Sequence, residues 1–275
     1  MMGQDTQLHL FSGDLSLDLS TPVVMGILNL TPDSFYDGGK FNSLENALLQ
    51  SEKMIAEGAK IIDIGAVSTR PGAQRVPETE EWNRMKNIIP ALREKFPETM
   101  LSIDTYNSRI AEKAIMAGAH IVNDISGGTL DEKMFETVAQ LDVPYVLMHI
   151  KGTPETMQKD PQYENVVEEV KDFFEKKIQQ LEKLGMKQII LDPGFGFGKT
   201  VEHNYQLLNS LDVFVKMGYP VLAGLSRKSM ITKLFGGQNK EALHGTIEVN
   251  KIALRKGAKM LRVHDVKEAV ELILQ

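Results

Sequence analysis

Asp104, Asn123 and Asp192 are the residues whose type and position best suit chemistry. Each stands at the end of a short apolar run, in LSID, HIVND and QIILD. If those runs are strands, all three lie on the inward-facing register. Three acceptor-capable groups converging from three strands suit a polar ring ligand with several N–H donors. The same groups could instead order a network of water, and the residues alone leave both readings open.

Two cationic segments accompany them. LSRKSM sets Arg227 and Lys228 beside an expected helix start, where the macrodipole disfavours each cation by ~0.3–1 kcal/mol. A sequence that accepts this cost has a use for the charges, unless both are simply solvated at the surface. Ser229 and the free backbone N–H groups there could take a carboxylate or phosphate. In LRVHD, Arg262 and His264 are two residues apart and so share one strand face. Both can donate to phosphate oxygens, and a helix starting near Asp265 adds backbone donors. Asn29 closes VVMGILN. It could give Mg²⁺ one hard oxygen, the rest coming from water and substrate phosphates, or it could open the turn at Thr31-Pro32-Asp33.

Other polar residues carry less. His149 has no metal-binding spacing around it and reads as a core histidine. Asp63, inside KIIDIG, reads as a structural acceptor. DPGFGFGKT is not a phosphate loop of the Walker kind, because Pro193 holds the place of the first glycine. Its glycines Gly194, Gly196 and Gly198 would let the backbone pass close to a flat ligand.

The scaffold follows from where these residues stand. VVMGILN, KIIDIG, LSID, HIVND, YVLMH, QIILD, PVLAGLSR and MLRVH are eight apolar segments, each with a polar residue at or near its end and each followed by a helix-like stretch. That repeat predicts an α/β fold, a (β/α)8 TIM barrel, whose functional groups gather at the C-terminal ends of the strands. Helices are expected over about 44–58, 78–95, 108–118, 131–141, 163–185, 200–217, 244–257 and 266–274, with a short one near 228–235. Asn42 to Glu45 and Asp265 to Glu268 have capping-box spacing, and Thr153-Pro154 looks like a helix start. Residues 8–20 alternate around Ser12-Gly13-Asp14 and predict a β-hairpin placed to plug the N-terminal end of the barrel. The reading is one domain over 1–275, with the hairpin in 1–20 and the barrel in 23–275.

Three connections at the C-terminal face are longer than the usual ~2–6 residues: TPDSFYDGGKFNS, VSTRPGAQRVP and KGTPETMQKDPQ. The first two are expected to be lids that close over substrate. The chain has 275 residues, 42% hydrophobic and 25% charged, which suits one barrel of roughly 250 residues. A net charge of -6 without a basic stripe argues against nucleic acid and anionic membrane as partners. The absence of cysteine excludes disulfides, thiolate metal sites and a Cys nucleophile, and it agrees with a reducing cytoplasm. No secretory leader or membrane-spanning run is read from the sequence.

Taken together, MGILNLTPDSFYDGG, IDIGAVSTRPGA, SIDT, AGAHIVNDISGG, MHIKGTPETMQ, LDPGFGFGKT, GLSRKSMI and GAKMLRVHDV resemble the dihydropteroate synthase family, in order, from about residue 23 to 267. The resemblance implies an enzyme that joins 6-hydroxymethyl-7,8-dihydropterin pyrophosphate to p-aminobenzoate and releases pyrophosphate on the route to folate. It further implies a sulfonamide target, Mg²⁺ as cofactor, a cytoplasmic location and a homodimer. By the same resemblance, Asp104, Asn123, Asp192 and Lys228 hold the pterin, and Arg262 stacks on its ring. Asn29, Thr69, Arg262 and His264 meet the pyrophosphate, with Mg²⁺ at Asn29. Phe35, Pro71, Phe197 and Ser229 meet p-aminobenzoate, Ser229 at its carboxylate. Asp37, Arg70 and Lys228 are the implied catalytic residues, Asp37 favouring a cationic pterin methylene. Val67 stands where an acidic residue is frequent in the family's IGxEST form. Two alternatives share the pterin-binding barrel: a methyltetrahydrofolate-dependent methyltransferase domain and a non-catalytic pterin-binding paralogue. The STRPG and SRKS segments argue against the first, and the presence of Arg70, Lys228, Arg262 and His264 argues against the second.

Overall fold

Period-two alternation in the apolar runs produces two differently lined faces in one closed sheet. The computed structural model describes residues 8–30, 39–68, 76–235 and 239–275. A hairpin comes first, β1 (His9–Ser12) and β2 (Leu15–Asp18), paired antiparallel. Eight parallel strands follow: β3 (Val23–Asn29), β4 (Ile61–Gly65), β5 (Met100–Asp104), β6 (Ile121–Asp124), β7 (Tyr145–Met148), β8 (Ile189–Asp192), β9 (Leu222–Ala223) and β10 (Met260–Val263). Their order is β8-β7-β6-β5-β4-β3-β10-β9, and a parallel bridge between Leu191 and Val221 joins the two ends into a barrel.

Outward residues such as Val24, Ile62, Leu101, Val122, Leu147, Leu191 and Leu261 form the main core with the surrounding helices. Inward, each strand gives one residue to a lower layer: Met25, Ile61, Met100, Ile121, Val146, Ile190, Leu222 and Met260. Leu10 and Leu19 of the hairpin segment are buried against this layer, so the hairpin does plug that end. Burying each such side chain is worth about 1.5–3 kcal/mol. The barrel therefore has an apolar floor, and everything above that floor is free to be polar.

The helices are α1 (Gly39–Ala56), α2 (Glu78–Met85), α3 (Ile88–Lys95), α4 (Ser108–Met116), α5 (Met134–Leu141), α6 (Val166–Lys183), α7 (Val201–Asn209), α8 (Leu211–Val215), α9 (Ser229–Phe235), α10 (Asn239–Arg255) and α11 (Val266–Ile273). Several differ from the sequence expectation. The helix predicted over 78–95 breaks between α2 and α3, since Pro90 has no N–H for the carbonyl four residues back. Asn42 lies inside α1 rather than at its cap. Asp265 precedes α11 but makes no side-chain cap bond, because Arg227 takes its carboxylate. Thr153-Pro154 opens a single turn, closed by Met157 N–H on the Thr153 carbonyl, and no helix follows. The caps that do form are Asn107, Asn165 and a Thr200–His203 capping box.

Candidate active site at the barrel mouth

Two residues above the apolar floor, the same inward register carries Asp63, Asn123, Asp192 and Arg262. Arg262 ties this layer together. Its Nε donates to Asp63 Oδ2 at 2.6 Å, and its terminal nitrogen donates to Asp104 Oδ2 at 2.7 Å. Asn123 Nδ2 also donates to Asp63 Oδ2, at 3.1 Å. Asp63 is thus the structural acceptor read from the sequence, and it fixes two of the candidate ligand groups at once.

One guanidinium serves two buried carboxylates here, and Asp63 has the Asn123 amide as an additional donor. Asp104 bears the cost of desolvation. Burial raises its pKa to about 7; Arg262 opposes that shift, and the negative charges of Asp63 and Glu81 add to it. Arg262 stays charged: burial works against it, but Asp63 and Asp104 outweigh burial and raise its pKa. Glu81 itself is buried behind this cluster and accepts a 2.6 Å bond from the Thr105 hydroxyl.

Across the mouth, Asp192 is buried and its pKa is raised by that burial. Its Oδ1 accepts from Gly194 N–H at 2.8 Å. Lys228 follows the neighbouring strand β9, its ammonium 4.1 Å from the centre of the Phe197 ring. Burial and then Arg262 lower the Lys228 pKa to about 8, while Asp192 and Asp104 act the other way. Gly194 and Gly198, read from the sequence as letting the backbone pass close to a flat ligand, lie instead against protein backbone. A Cβ on Gly194 would lie 1.9 Å from the His149 carbonyl, and one on Gly198 2.4 Å from that of Lys151. These two glycines let two stretches of protein backbone touch. Gly196 faces the Lys228 side chain, whose Cδ is 3.1 Å from the place of a Cβ.

His264 and Asn29 complete the rim. His264 Nδ1 is 3.0 Å from Ser226 Oγ, which also accepts from the His264 N–H at 3.2 Å. Desolvation by the surrounding protein, with the charges of Arg262 and Arg227, lowers its pKa to about 4, although the residue is exposed. Asn29 Oδ1 and Asp104 Oδ2 reach over Gly65, each 3.7 Å from the place of its absent Cβ. Among the described residues, no three His, Cys, Asp or Glu side chains gather as a metal site. One amide oxygen beside a carboxylate fits a magnesium ion that takes most of its ligands from water and substrate.

Arg227 is no ligand in this arrangement; it forms a two-point ion pair with Asp265 at 2.6 and 3.1 Å. Ser229 begins α9 and is exposed. Phe35, Asp37, Thr69, Arg70 and Pro71, with the two expected lids, lie outside the described residues. Sequence reasoning marks Ser226 only as a polar residue at a strand end, and misses Lys199. Ser226 bonds His264, and Lys199 is buried beneath the glycine loop. A lysine directly after a glycine-rich run was the available signal, but it pointed towards phosphate rather than towards the protein's own carbonyls.

The model of the family described as pterin binding enzyme matches residues 25–264. Dihydropteroate synthase from Haemophilus influenzae is 45% identical over 97% of this chain and 97% of its own length. A crystal structure of the Yersinia pestis dihydropteroate synthase with a sulfonamide drug complex superposes with a TM-score of 0.90, at 43% identity over 97% of each chain. The Xanthomonas albilineans dihydropteroate synthase with 4-aminobenzoic acid gives a TM-score of 0.91 at 39% identity, over 98% of this chain and 97% of that one. The chain belongs to the pterin-binding enzyme family, and within it to the dihydropteroate synthases. It is accordingly a transferase with the barrel that family shares.

Proposed function

We propose that the barrel mouth binds the pterin of 6-hydroxymethyl-7,8-dihydropterin pyrophosphate through Asp104, Asn123, Asp192 and Lys228, and that Arg262 stacks on its ring. The observation that carries this reading is the polar layer above the apolar floor, in which acceptors from separate strands gather at the barrel mouth with two cations. A pterin presents several ring N–H donors in one plane, and carboxylate and amide oxygens are their partners. Asp104 accepts from the ring as a carboxylate, the form that the Arg262 guanidinium favours against burial.

Asn29, Arg262 and His264, with Thr69, receive the pyrophosphate. His264 is neutral at physiological pH, and Ser226 orients its ring. Asn29 would hold Mg²⁺ there, and the ion would supply charge stabilisation to the departing pyrophosphate. Arg262 and Lys228 hold positive charge on the leaving-group side as the C–O bond breaks. Asp37 offsets the positive charge left on the pterin methylene. Phe35, Pro71 and Phe197 frame p-aminobenzoate, Ser229 meets its carboxylate, and Arg70 closes the site. The arylamine nitrogen is already nucleophilic, so the protein needs to position it rather than activate it. Homodimer assembly and a cytoplasmic location belong to the same reading. No helix among the described residues is long and apolar enough to cross a membrane.

The test is product formation by purified protein with Mg²⁺, the pterin pyrophosphate and p-aminobenzoate. Dihydropteroate and pyrophosphate should appear in equal amounts, and chelation should stop both. Turnover unaffected by chelation would remove the metal from the mechanism. Full turnover in Arg70→Ala would remove Arg70 from it.

A further inference from the structure

Lys199 is 3% exposed, yet no carboxylate is bonded to its ammonium. Its Nζ instead meets the carbonyls of Gly194 at 2.9 Å, Phe197 at 3.0 Å and His149 at 3.3 Å, with His149 Nδ1 at 3.0 Å. Burial lowers the Lys199 pKa to about 7, with Asp192 acting the other way. In its ammonium form the group has three protons and no lone pair, so all four contacts are then acceptors offered to it, with His149 Nδ1 as the unprotonated nitrogen of its ring. Burial and the adjacent Lys199 charge hold the His149 pKa well below its ordinary value, in keeping with a neutral acceptor. The arrangement resembles a small cation site lined by carbonyl oxygens and filled by the chain's own side chain.

The acceptors come from two separate stretches of backbone. His149 lies just past β7, while Gly194 and Phe197 belong to the loop after β8. This is the place where Gly194 and Gly198 let the two backbones touch. Carbonyls brought so close repel one another, and an ammonium between them turns that repulsion into attraction. Two more carbonyls of this stretch are also held: Gly196 by Gln158 at 2.7 Å and Gly198 by the Tyr163 hydroxyl at 2.8 Å. The loop carries two groups that face the mouth. Gly194 N–H bonds Asp192, and the Phe197 ring lies under the Lys228 ammonium.

We propose that Lys199 is a positioning residue for the pterin site: its ammonium clamps the 193–198 loop to the end of β7 and through that loop sets Asp192 and Phe197. This rests on the reading that Asp192 and Lys228 face the pterin. Lys199 touches neither substrate nor reacting atoms, since its ammonium is enclosed by protein acceptors.

The test compares Lys199→Met, which keeps length and loses the N–H donors, with Asp192→Ala. In Lys199→Met the pterin KM should rise about ten-fold while kcat at saturation changes less than about three-fold, since binding geometry is disturbed more than chemistry. Lys199→Ala should regain pterin affinity in propylammonium, which restores the missing donors, and not in tetramethylammonium, which has none. If Lys199→Met does not fold, Lys199→Ala purified in propylammonium and then dialysed gives the same comparison. A native pterin KM in folded Lys199→Met, alongside weakened binding in Asp192→Ala, overturns the clamp and leaves the site reading intact. Stability restored by propylammonium without any change in pterin KM overturns it too, by reducing Lys199 to a structural brace. Tight pterin binding by Asp192→Ala would instead sink the site reading itself.

Discussion

The floor and the mouth of the barrel are built from the same strands, two residues apart, and differ in almost every physical respect. Ile61 is packed among apolar neighbours, and Asp63 is an equally buried carboxylate shared between Arg262 and Asn123. Ile190 and Asp192 repeat the contrast on β8, and Met260 and Arg262 repeat it on β10. Stability comes from the floor, where burial is unopposed. The mouth spends stability, because buried charges with displaced pKa values are costly to hold. In the proposed site a pterin is met by such groups already in place, which ties the cost to function.

That contrast can be broken or sharpened by experiment. Ile61→Ala should destabilise the fold by about 2–5 kcal/mol, as a large-to-small change in a tight core does. Its pterin affinity per folded molecule should stay within about two-fold; denaturant melts and calorimetry read the two quantities separately. Lys228→Ala should do the reverse. Loss of a charged hydrogen-bonding partner of about 1.5–3 kcal/mol predicts pterin binding roughly 10- to 100-fold weaker, with an unchanged or higher unfolding temperature.

A smaller effect is expected from pH. Asp104 has a folded pKa raised from 3.8 to about 7, and in the proposed pterin site a ring N–H meets its carboxylate form. Pterin affinity should therefore climb as pH rises towards about 7 and level off above it, and Asp104→Asn should flatten that slope. Stability moves the other way. A raised folded pKa contributes stability below the unfolded value of 3.8 and loses it as pH rises through about 7. A variant lacking this carboxylate should lose less stability over that range. The smallest effect belongs to neither region. Asn107→Ala, which removes the cap bonds to Arg109 N–H and Ile110 N–H, should cost about 1 kcal/mol in a thermal melt and leave pterin affinity alone.

Much of this contrast is legible in the sequence, because alternation in a strand is local. Apolar runs ending in Asp104, Asn123, Asp192 and Arg262 mark both the barrel and the face of it that carries polar groups. The hairpin plug is equally local. What could not be read depends on residues far apart in the chain. Asp63 reads as an acceptor, but its partner Arg262 is 199 residues away. The Asp265 cap fails because Arg227, 38 residues earlier, competes for the carboxylate. The glycines of DPGFGFGKT suggest a ligand, since nothing local reveals that the carbonyls of His149 and Lys151 approach them. Lys199 was hidden by the same closure, which also creates the need for its charge.

The most direct test is calorimetric titration of 6-hydroxymethyl-7,8-dihydropterin pyrophosphate onto the native protein, Ile61→Ala and Asp192→Ala under one set of conditions. Native-like affinity in the floor variant and strongly weakened binding in the mouth variant is the expected pattern. Native affinity in Asp192→Ala, or binding lost equally from both folded variants, would contradict the division of labour between floor and mouth.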